Sequence, residues 1–103
     1  MKSRKRSEVW LIDLGFAAKT RPALIMSIED VDRALVAIVP HTTSPRGSRV
    51  EVPLTMPLLD TGVFDGQNLQ SVSQARCLRK LGTVSLAQLE TVETTIKRWL
   101  GLD

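Results

Sequence analysis

The sequence predicts a small domain that is mainly β-sheet with one C-terminal helix, an α+β arrangement. Short apolar or alternating segments recur through the first two thirds of the chain and are separated by glycine, proline and serine. The last fifth changes to a helical spacing of apolar residues. A length of 103 residues fits a single domain. We therefore expect a strongly bent sheet or small barrel that is capped by the helix.

Five segments are predicted to be strands because they are rich in β-branched or apolar residues and end at turn residues. The third is continuously apolar, which predicts a central strand buried on both faces. Pro22 opens the second, where a missing N–H is tolerable, and Gly66 indicates a bulge or a close backbone approach in the fifth. The segments are EVWLIDL (8–14), PALIMSI (22–28), ALVAIVP (34–40), SRVEVPL (48–54) and GVFDGQNLQSV (62–72).

The C-terminal segment carries signals for both ends of a helix. Ser85 followed by Gln88 resembles a capping box, and Gly101 ends the helix. Lys97 and Arg98 fall in the last turn, where the helix dipole favours positive charge. The residues predicted to face the core are Leu86, Leu89, Val92, Ile96, Trp99 and Leu100, with Trp10 from the first strand.

Composition and charge exclude several classes of protein. No stretch approaches the ~20 apolar residues of a membrane span, and the basic start lacks the apolar core of a signal peptide. Cys77 is the single cysteine, so no internal disulfide is possible and a cytoplasmic location is expected. His41 and Cys77 are the only soft metal ligands and lie far apart, so no metal site is expected, and Cys77 is predicted to be a small buried residue.

Lysine and arginine number 14 against 11 acidic residues, but four of the positive charges lie within residues 2–6. The rest of the chain is nearly neutral, so net charge alone does not indicate nucleic-acid binding. We divide the chain into a basic tail, 1–6, and one domain, 7–103.

The order of the segments resembles the MazF/PemK family of toxin ribonucleases. The match covers 7–102 and rests on EVWLIDLG, KTRPALIMS, AIVPHTTSPRGSRVEV, DGQNLQSV and RCLRKLGTVSLAQLETVETTIKRWLGL. The resemblance implies an SH3-like barrel with helices, usually homodimeric, which the family shares with the CcdB gyrase poisons. It also implies an mRNA interferase that cleaves single-stranded RNA, uses no cofactor and is neutralised by a cognate antitoxin.

The resemblance also implies a catalytic pair. The family's arginine before PAL or PVL falls on Arg21, and its threonine after the apolar strand falls on Thr42, or on Thr43 if the match shifts by one. The loop GFAAKT, 15–20, is shorter than is common in the family, and His41 stands where many members carry an apolar residue. The family glutamine of the Q-x-R-T stretch falls in QNLQSV, at either Gln67 or Asn68.

These residue types suit RNA cleavage, because RNA supplies its own nucleophile, the 2′-OH. An arginine guanidinium presents paired donors to phosphate oxygens, and Pro22 keeps Arg21 extended. A guanidinium offers hydrogen-bond donors and no acceptor, which makes Arg21 a poor general base but a good stabiliser of negative charge. The Thr42 hydroxyl could orient the phosphate or the 2′-OH, or could bond to its own turn.

Other residues are secondary candidates. His41 has the usual acid–base chemistry, but side chains alternate along a strand, so His41 should point away from the face of Thr42. Arg46 and Arg49 could bind flanking phosphates or be ordinary turn charges. Gln67, Asn68 and Gln70 could read base edges or face solvent, and Phe16 could stack on a base or an antitoxin side chain.

Two rival functions use the same fold. A non-enzymatic poison or binding module of the CcdB type would not need Arg21 and the threonine to converge on one phosphate. A decayed member that only binds its antitoxin would need neither side chain, and both are present.

Overall fold

The computed structural model describes residues 5–15, 19–28, 34–59 and 61–102. Within these ranges seven strands precede one α-helix, so the predicted class is confirmed. The elements are β1 (Glu8–Asp13), β2 (Thr20–Ile25), β3 (Leu35–Thr42), β4 (Glu51–Val52), β5 (Val63–Asp65), β6 (Gln70–Ser73), β7 (Cys77–Thr83) and α1 (Leu86–Leu100).

The strands form one antiparallel sheet in the order β4-β5-β3-β2-β1-β7. The central strand β3 pairs with β2 along one edge and divides its other edge between two partners. Leu35–Ile38 pairs with β6, and the last two residues, His41 and Thr42, pair with β5. The end of β3 is therefore held between β2 and β5, and this junction is where the candidate site lies.

The sheet is buried on both faces, as the continuous apolar pattern of β3 predicts. Alternate residues of β2 enter different clusters, with Leu24 in one and Ala23 and Ile25 in the other. The first cluster packs against α1 through Leu89, Val92 and Ile96, and its other members are Val9, Leu24, Met26, Val39, Val52, Met56, Phe64 and Val84. The second cluster contains Trp10, Ile12, Ala23, Ile25, Val36, Ile38, Val72 and Cys77.

Helix α1 begins and ends as its sequence predicts. The Ser85 hydroxyl accepts the backbone N–H of Gln88, and the Gln88 side chain accepts that of Ser85, which completes the capping box. Gly101 adopts a left-handed φ of +70° after the last turn. No helix in the described ranges is long and apolar enough to cross a membrane.

Leu86, Trp99 and Leu100 were predicted to face the core, but they are 78%, 48% and 49% exposed. The buried stripe of α1 ends at Ile96, and Trp99 instead borders a shallow groove with Arg49, Val50 and Thr95. The last turn of the helix therefore lies at the edge of the sheet.

Three strand predictions need correction. Pro22 is the third residue of β2 rather than the first. Pairing between β2 and β3 covers only Ala23 to Ile25, so at Pro22 one edge of β2 is unpaired and a missing N–H is tolerable. The predicted strand 48–54 shrinks to Glu51–Val52 because residues 49 and 50 form a turn, and Ser48 before them donates its N–H to the Glu51 carboxylate. The fifth segment divides around a 3-10 turn, Gly66–Asn68, at which a Cβ on Gly66 would lie 2.5 Å from Val50.

The strand β7 was not predicted. Most of its side chains are exposed, and two irregularities in its pairing with β1 disturb the alternation that a sequence pattern could show. At the other end of the chain, Arg6, assigned to the tail, contacts the carbonyl of Met26 and forms an ion pair with Glu93 of α1. This tail residue is therefore attached to both the sheet and the helix.

Candidate functional site

A cleft of about 350 Å³ opens where the end of β3 meets β2, β5 and the turn after β5. Polar side chains dominate its walls, and two of them are arginines. The residues that line it are Leu14, Arg21, Pro40, His41, Thr42, Ser44, Arg46, Glu51, Asp65, Asn68 and Gln70. The cleft thus brings together residues from the first half and the last half of the chain.

Arg21 reaches the cleft from the second residue of β2. It lies opposite Ile12 of β1, and its side chain is exposed while the strand turns inward from Ala23 onward. Antiparallel pairing on β1 and the following proline both hold the backbone extended here. The guanidinium therefore starts from a fixed point on the sheet rather than from a loop.

Thr42 enters the same cleft as the last residue of β3. Its hydroxyl oxygen accepts a hydrogen bond from the backbone N–H of Ser44 at 3.1 Å. This is the turn-forming bond that the sequence left as an alternative, and it orients the hydroxyl without using its proton. The O–H group of Thr42 consequently remains able to donate a hydrogen bond.

The loop between β3 and β4 is wrapped around the carboxylate of Glu51. This carboxylate accepts the backbone N–H groups of Arg46 at 2.8 Å, Gly47 at 2.8 Å and Ser48 at 3.0 Å. The bond from Arg46, with those from Gly47 and Ser48, holds the pKa of the Glu51 carboxyl below its ordinary value. Arg46 is thereby held at the cleft by the carboxylate of the first residue of β4.

Asp65 lies at the end of β5 and is buried. One carboxylate oxygen accepts the backbone N–H of Gln67 at 3.1 Å, and the other accepts the side-chain amide nitrogen of Asn68. Gln70 adds a bond from its own amide nitrogen to the backbone carbonyl of Asn68 at 3.1 Å. A connected set of amides therefore forms one wall of the cleft.

His41 borders the cleft, but its ring is only 4% exposed and packs edge-on against Phe64 at 5.1 Å between ring centres. Gly62 covers the other side, since a Cβ there would lie 3.0 Å from Nε2. That nitrogen is buried with no hydrogen-bond partner among the described residues. Burial lowers the pKa of the His41 imidazole, and a bond with the backbone of Thr61 opposes this only in part. Burial therefore favours the neutral ring, which packs against Phe64 of the core. Because His41 also borders the cleft beside Thr42, the expectation that it points away from the face of Thr42 holds only in part.

Some predicted residues lie outside the cleft. Thr43 is exposed and does not line it, so the geometry favours Thr42 over Thr43. Arg49 borders the groove beside Trp99 instead, because the loop turns at Ser48. Gln67 is exposed and not among the lining residues. Phe16 lies outside the described residues.

Sequence reasoning missed Glu51 and Asp65. Asp65 had a usable signal, because an Asp before Gly-x-Asn is typical of a turn in which the carboxylate accepts N–H groups further along. Glu51 had none, because it appears in the sequence as the polar member of an alternating strand. Only the folded loop brings three N–H groups to it.

A family model described as the PemK-like, MazF-like toxin of type II toxin–antitoxin systems matches residues 5–100. Among solved structures, an endoribonuclease in complex with its cognate antitoxin from a mycobacterial species is 26% identical, with a TM-score of 0.85 and coverage of 98% of both chains. The Mycobacterium tuberculosis toxin MazF-mt6 is 27% identical, with a TM-score of 0.81 and coverage of 93% of this chain and 98% of that one.

A MazE–MazF structure from Deinococcus radiodurans supports the fold, with a TM-score of 0.81, 24% identity and coverage of 100% of both chains. The antiparallel sheet, the C-terminal helix and the family model agree. The chain belongs to the PemK-like, MazF-like family of toxins from type II toxin–antitoxin systems.

Proposed function

We propose that this toxin is a sequence-selective endoribonuclease that cleaves single-stranded RNA without a metal ion. Membership of the toxin family supports the general function. A structure matching at 26% identity is described as an endoribonuclease. The observation that carries the proposal to this chain is the common cleft of Arg21 and Thr42, which come from different strands.

The reaction needs no nucleophile from the protein. The 2′-oxygen of the RNA attacks the adjacent phosphorus, the bond from phosphorus to O5′ breaks, and a 2′,3′-cyclic phosphate and a 5′-OH end result. One proton leaves the 2′-OH for solvent, and another is delivered to the departing O5′. The protein must hold these atoms in line and stabilise the charge that develops on the phosphoryl oxygens.

Arg21 suits the second task. Its planar guanidinium can donate two parallel hydrogen bonds to phosphoryl oxygens. Because the backbone of Arg21 is fixed on a paired strand, fewer conformations of the residue have to be ordered when RNA binds. We assign Arg21 to charge stabilisation and to donation of a proton or hydrogen bond to the leaving O5′.

Thr42 suits the orientation of the phosphate. Because its oxygen already accepts the N–H of Ser44, the hydroxyl is best used as a donor, with its proton directed at a phosphoryl oxygen. A role as general base does not follow from this geometry. The Thr42→Ser variant keeps the donor, and Thr42→Ala removes it.

Arg46 supplies a second positive charge at the mouth of the cleft. The carboxylates of Glu51 and Asp65 accept bonds from backbone and amide groups of their own turns. The cleft consequently contains two arginine side chains that can bind a polyanion, and its acids accept hydrogen bonds from their own turns. Binding of RNA should therefore weaken with added salt.

The proposal includes a cytoplasmic location, a homodimer and an antitoxin segment that occupies the RNA cleft. A small domain leaves much apolar surface uncovered, and Leu35, Leu78 and Leu86 are more than half exposed. Light scattering of the purified chain would measure the dimer. Competition between antitoxin and RNA would test the shared cleft.

The decisive experiment incubates the purified protein with single-stranded RNA in EDTA and maps the ends of the products. We expect cleavage with 2′,3′-cyclic phosphate ends. Loss of one charge-stabilising donor should lower kcat by about 10²–10³ in Arg21→Ala, and Thr42→Ala should fall below Thr42→Ser. Arg79→Ala is the matched control, because Arg79 is an exposed arginine outside the cleft.

Intact RNA, or equal cleavage by wild type and Arg21→Ala, would overturn the proposal. Growth arrest with intact RNA and failing DNA supercoiling would instead support the CcdB-type rival.

A further inference from the structure

The side-chain amides of Asn68 and Gln70 form one wall of the cleft, here called the amide wall, and their orientation indicates which RNA base would bind there. Asp65 is 8% exposed, and its second oxygen accepts the side-chain nitrogen of Asn68. A carboxylate accepts hydrogen bonds and donates none. The Asn68 amide must therefore turn its NH₂ group toward Asp65, and its oxygen, Oδ1, turns away from that partner.

Gln70 is oriented by the same logic. Its amide nitrogen donates to the backbone carbonyl of Asn68 at 3.1 Å. A carbonyl oxygen also accepts only, so the nitrogen of Gln70 is turned toward the protein and Oε1 is turned away from this bond, where it can accept a hydrogen bond from a ligand. Both residues line the cleft, and they are joined by this hydrogen bond. The wall thus offers two neighbouring acceptors.

We infer that Asn68 and Gln70 select an unpaired base with an exocyclic amino group, with guanine as the best fit and uracil rejected, and that Asp65 is the positioning residue. The inference rests on the proposed endoribonuclease function. Guanine carries two adjacent donors, N1–H and the 2-amino group, on one edge. Adenine and cytosine carry one amino group. Uracil carries a single donor, N3–H, between two carbonyl oxygens, so it can pair with one amide oxygen and places a carbonyl oxygen against the other.

Asp65 acts at a distance from the base, through the orientation of Asn68. Without the carboxylate, the Asn68 amide could turn either its oxygen or its NH₂ group toward the cleft. The base would then meet an acceptor in some molecules and a donor in others. The expected consequence is a loss of base preference rather than a uniform loss of rate. A merely structural role for Asp65 would instead lower cleavage at every sequence alike.

The experiment cleaves a randomised pool of single-stranded RNA and sequences the new ends. For wild type we expect one position near the cut to be enriched in guanine and depleted in uracil, by on the order of tenfold. Asp65→Asn should flatten this position and leave the others unchanged. Asn68→Ala, at an exposed residue, removes the acceptor without touching the buried carboxylate. Ser71→Ala is the control, because Ser71 is exposed beside Gln70 and does not line the cleft.

A second arm uses a synthetic RNA with the preferred guanosine replaced by inosine, which lacks only the 2-amino group. Wild type should cleave the inosine substrate about tenfold more slowly, and Asn68→Ala should cleave the two substrates alike.

The outcomes separate the two proposals. Cleavage by wild type with no preference for guanine at any position, or a preference that survives both Asp65→Asn and Asn68→Ala, overturns this inference and leaves the RNA-cleaving activity standing. No cleavage of any RNA in the pool overturns the proposed function and this inference with it.

Discussion

Gly62 lies at the junction of the core and the cleft, and substitution by alanine should be among the most damaging single-methyl changes in this chain. Its φ is +91°, and a Cβ would lie 2.4 Å from the carbonyl oxygen of Thr42 and 2.7 Å from Cε1 of His41. The left-handed backbone costs about 1–2 kcal/mol for a residue with a Cβ. Forcing a methyl group against backbone costs about 1–3 kcal/mol more.

The sum is about 2–5 kcal/mol, to be compared with the total stability of about 5–15 kcal/mol that is typical of a domain. At about 4–8 °C per kcal/mol for a domain of this size, Tm should fall by about 10 °C or more. The carbonyl that must move belongs to Thr42, so RNA cleavage by Gly62→Ala should also fall at a temperature where the variant is still folded.

Gly47→Ala is the matched control. Gly47 also has a positive φ, +81°, but nothing lies within 4 Å of the added Cβ. It should lose only the backbone contribution, about 1–2 kcal/mol. The assay is urea unfolding of both variants and of wild type at one pH, monitored by far-UV circular dichroism. Equal losses in the two variants would refute the steric reasoning, because the clash is the feature that separates them.

Three further outcomes are expected. The pKa of His41 is lower in the folded protein than in the unfolded chain, so as pH falls the unfolded chain binds a proton before the folded protein does. The free energy of unfolding should therefore not depend on this group above about pH 6.5. It should decline as pH falls through the folded pKa. This decline should disappear in His41→Phe. The prediction is contradicted if the urea midpoints of wild type and His41→Phe change with pH in the same way from pH 8 to 5. Glu51→Ala should speed hydrogen exchange at the amides of 46–48, and unchanged exchange would remove the anchor role. Ser85→Ala should cost about 1 kcal/mol, with a smaller loss in Gln88→Ala, both measured by thermal melting; a melt equal to wild type would contradict the cap.

The elements that sequence predicted well are those whose signals are local. The ends of α1 depend on residues within one turn, Ser85 with Gln88 and then Gly101, and the observed bonds join these same residues. The strand β3 was predicted because a continuous apolar run is typical of a strand buried on both sides.

The elements that sequence missed depend on partners far along the chain. The strand β7 exists because β1 offers an edge for pairing, and its exposed side chains carry no alternation. The predicted strand 48–54 is short because Glu51 draws the preceding loop onto its carboxylate. Trp99 has helical spacing with the core residues but lies beyond the end of the buried stripe.

The candidate site divides in the same way. The type and order of residues identify Arg21 and Thr42 as candidates through the family resemblance, and no local pattern says that they share a cleft. Sequence by itself determined the β-rich class, the helix with both its ends, and the family. The folded structure was needed to show which side chains line the cleft, that Glu51 and Asp65 position Arg46 and Asn68, and that the His41 ring packs against Phe64. The physical reason is that periodicity and capping act within a few residues, whereas a cleft is formed by pairing and packing of segments that the chain sequence separates.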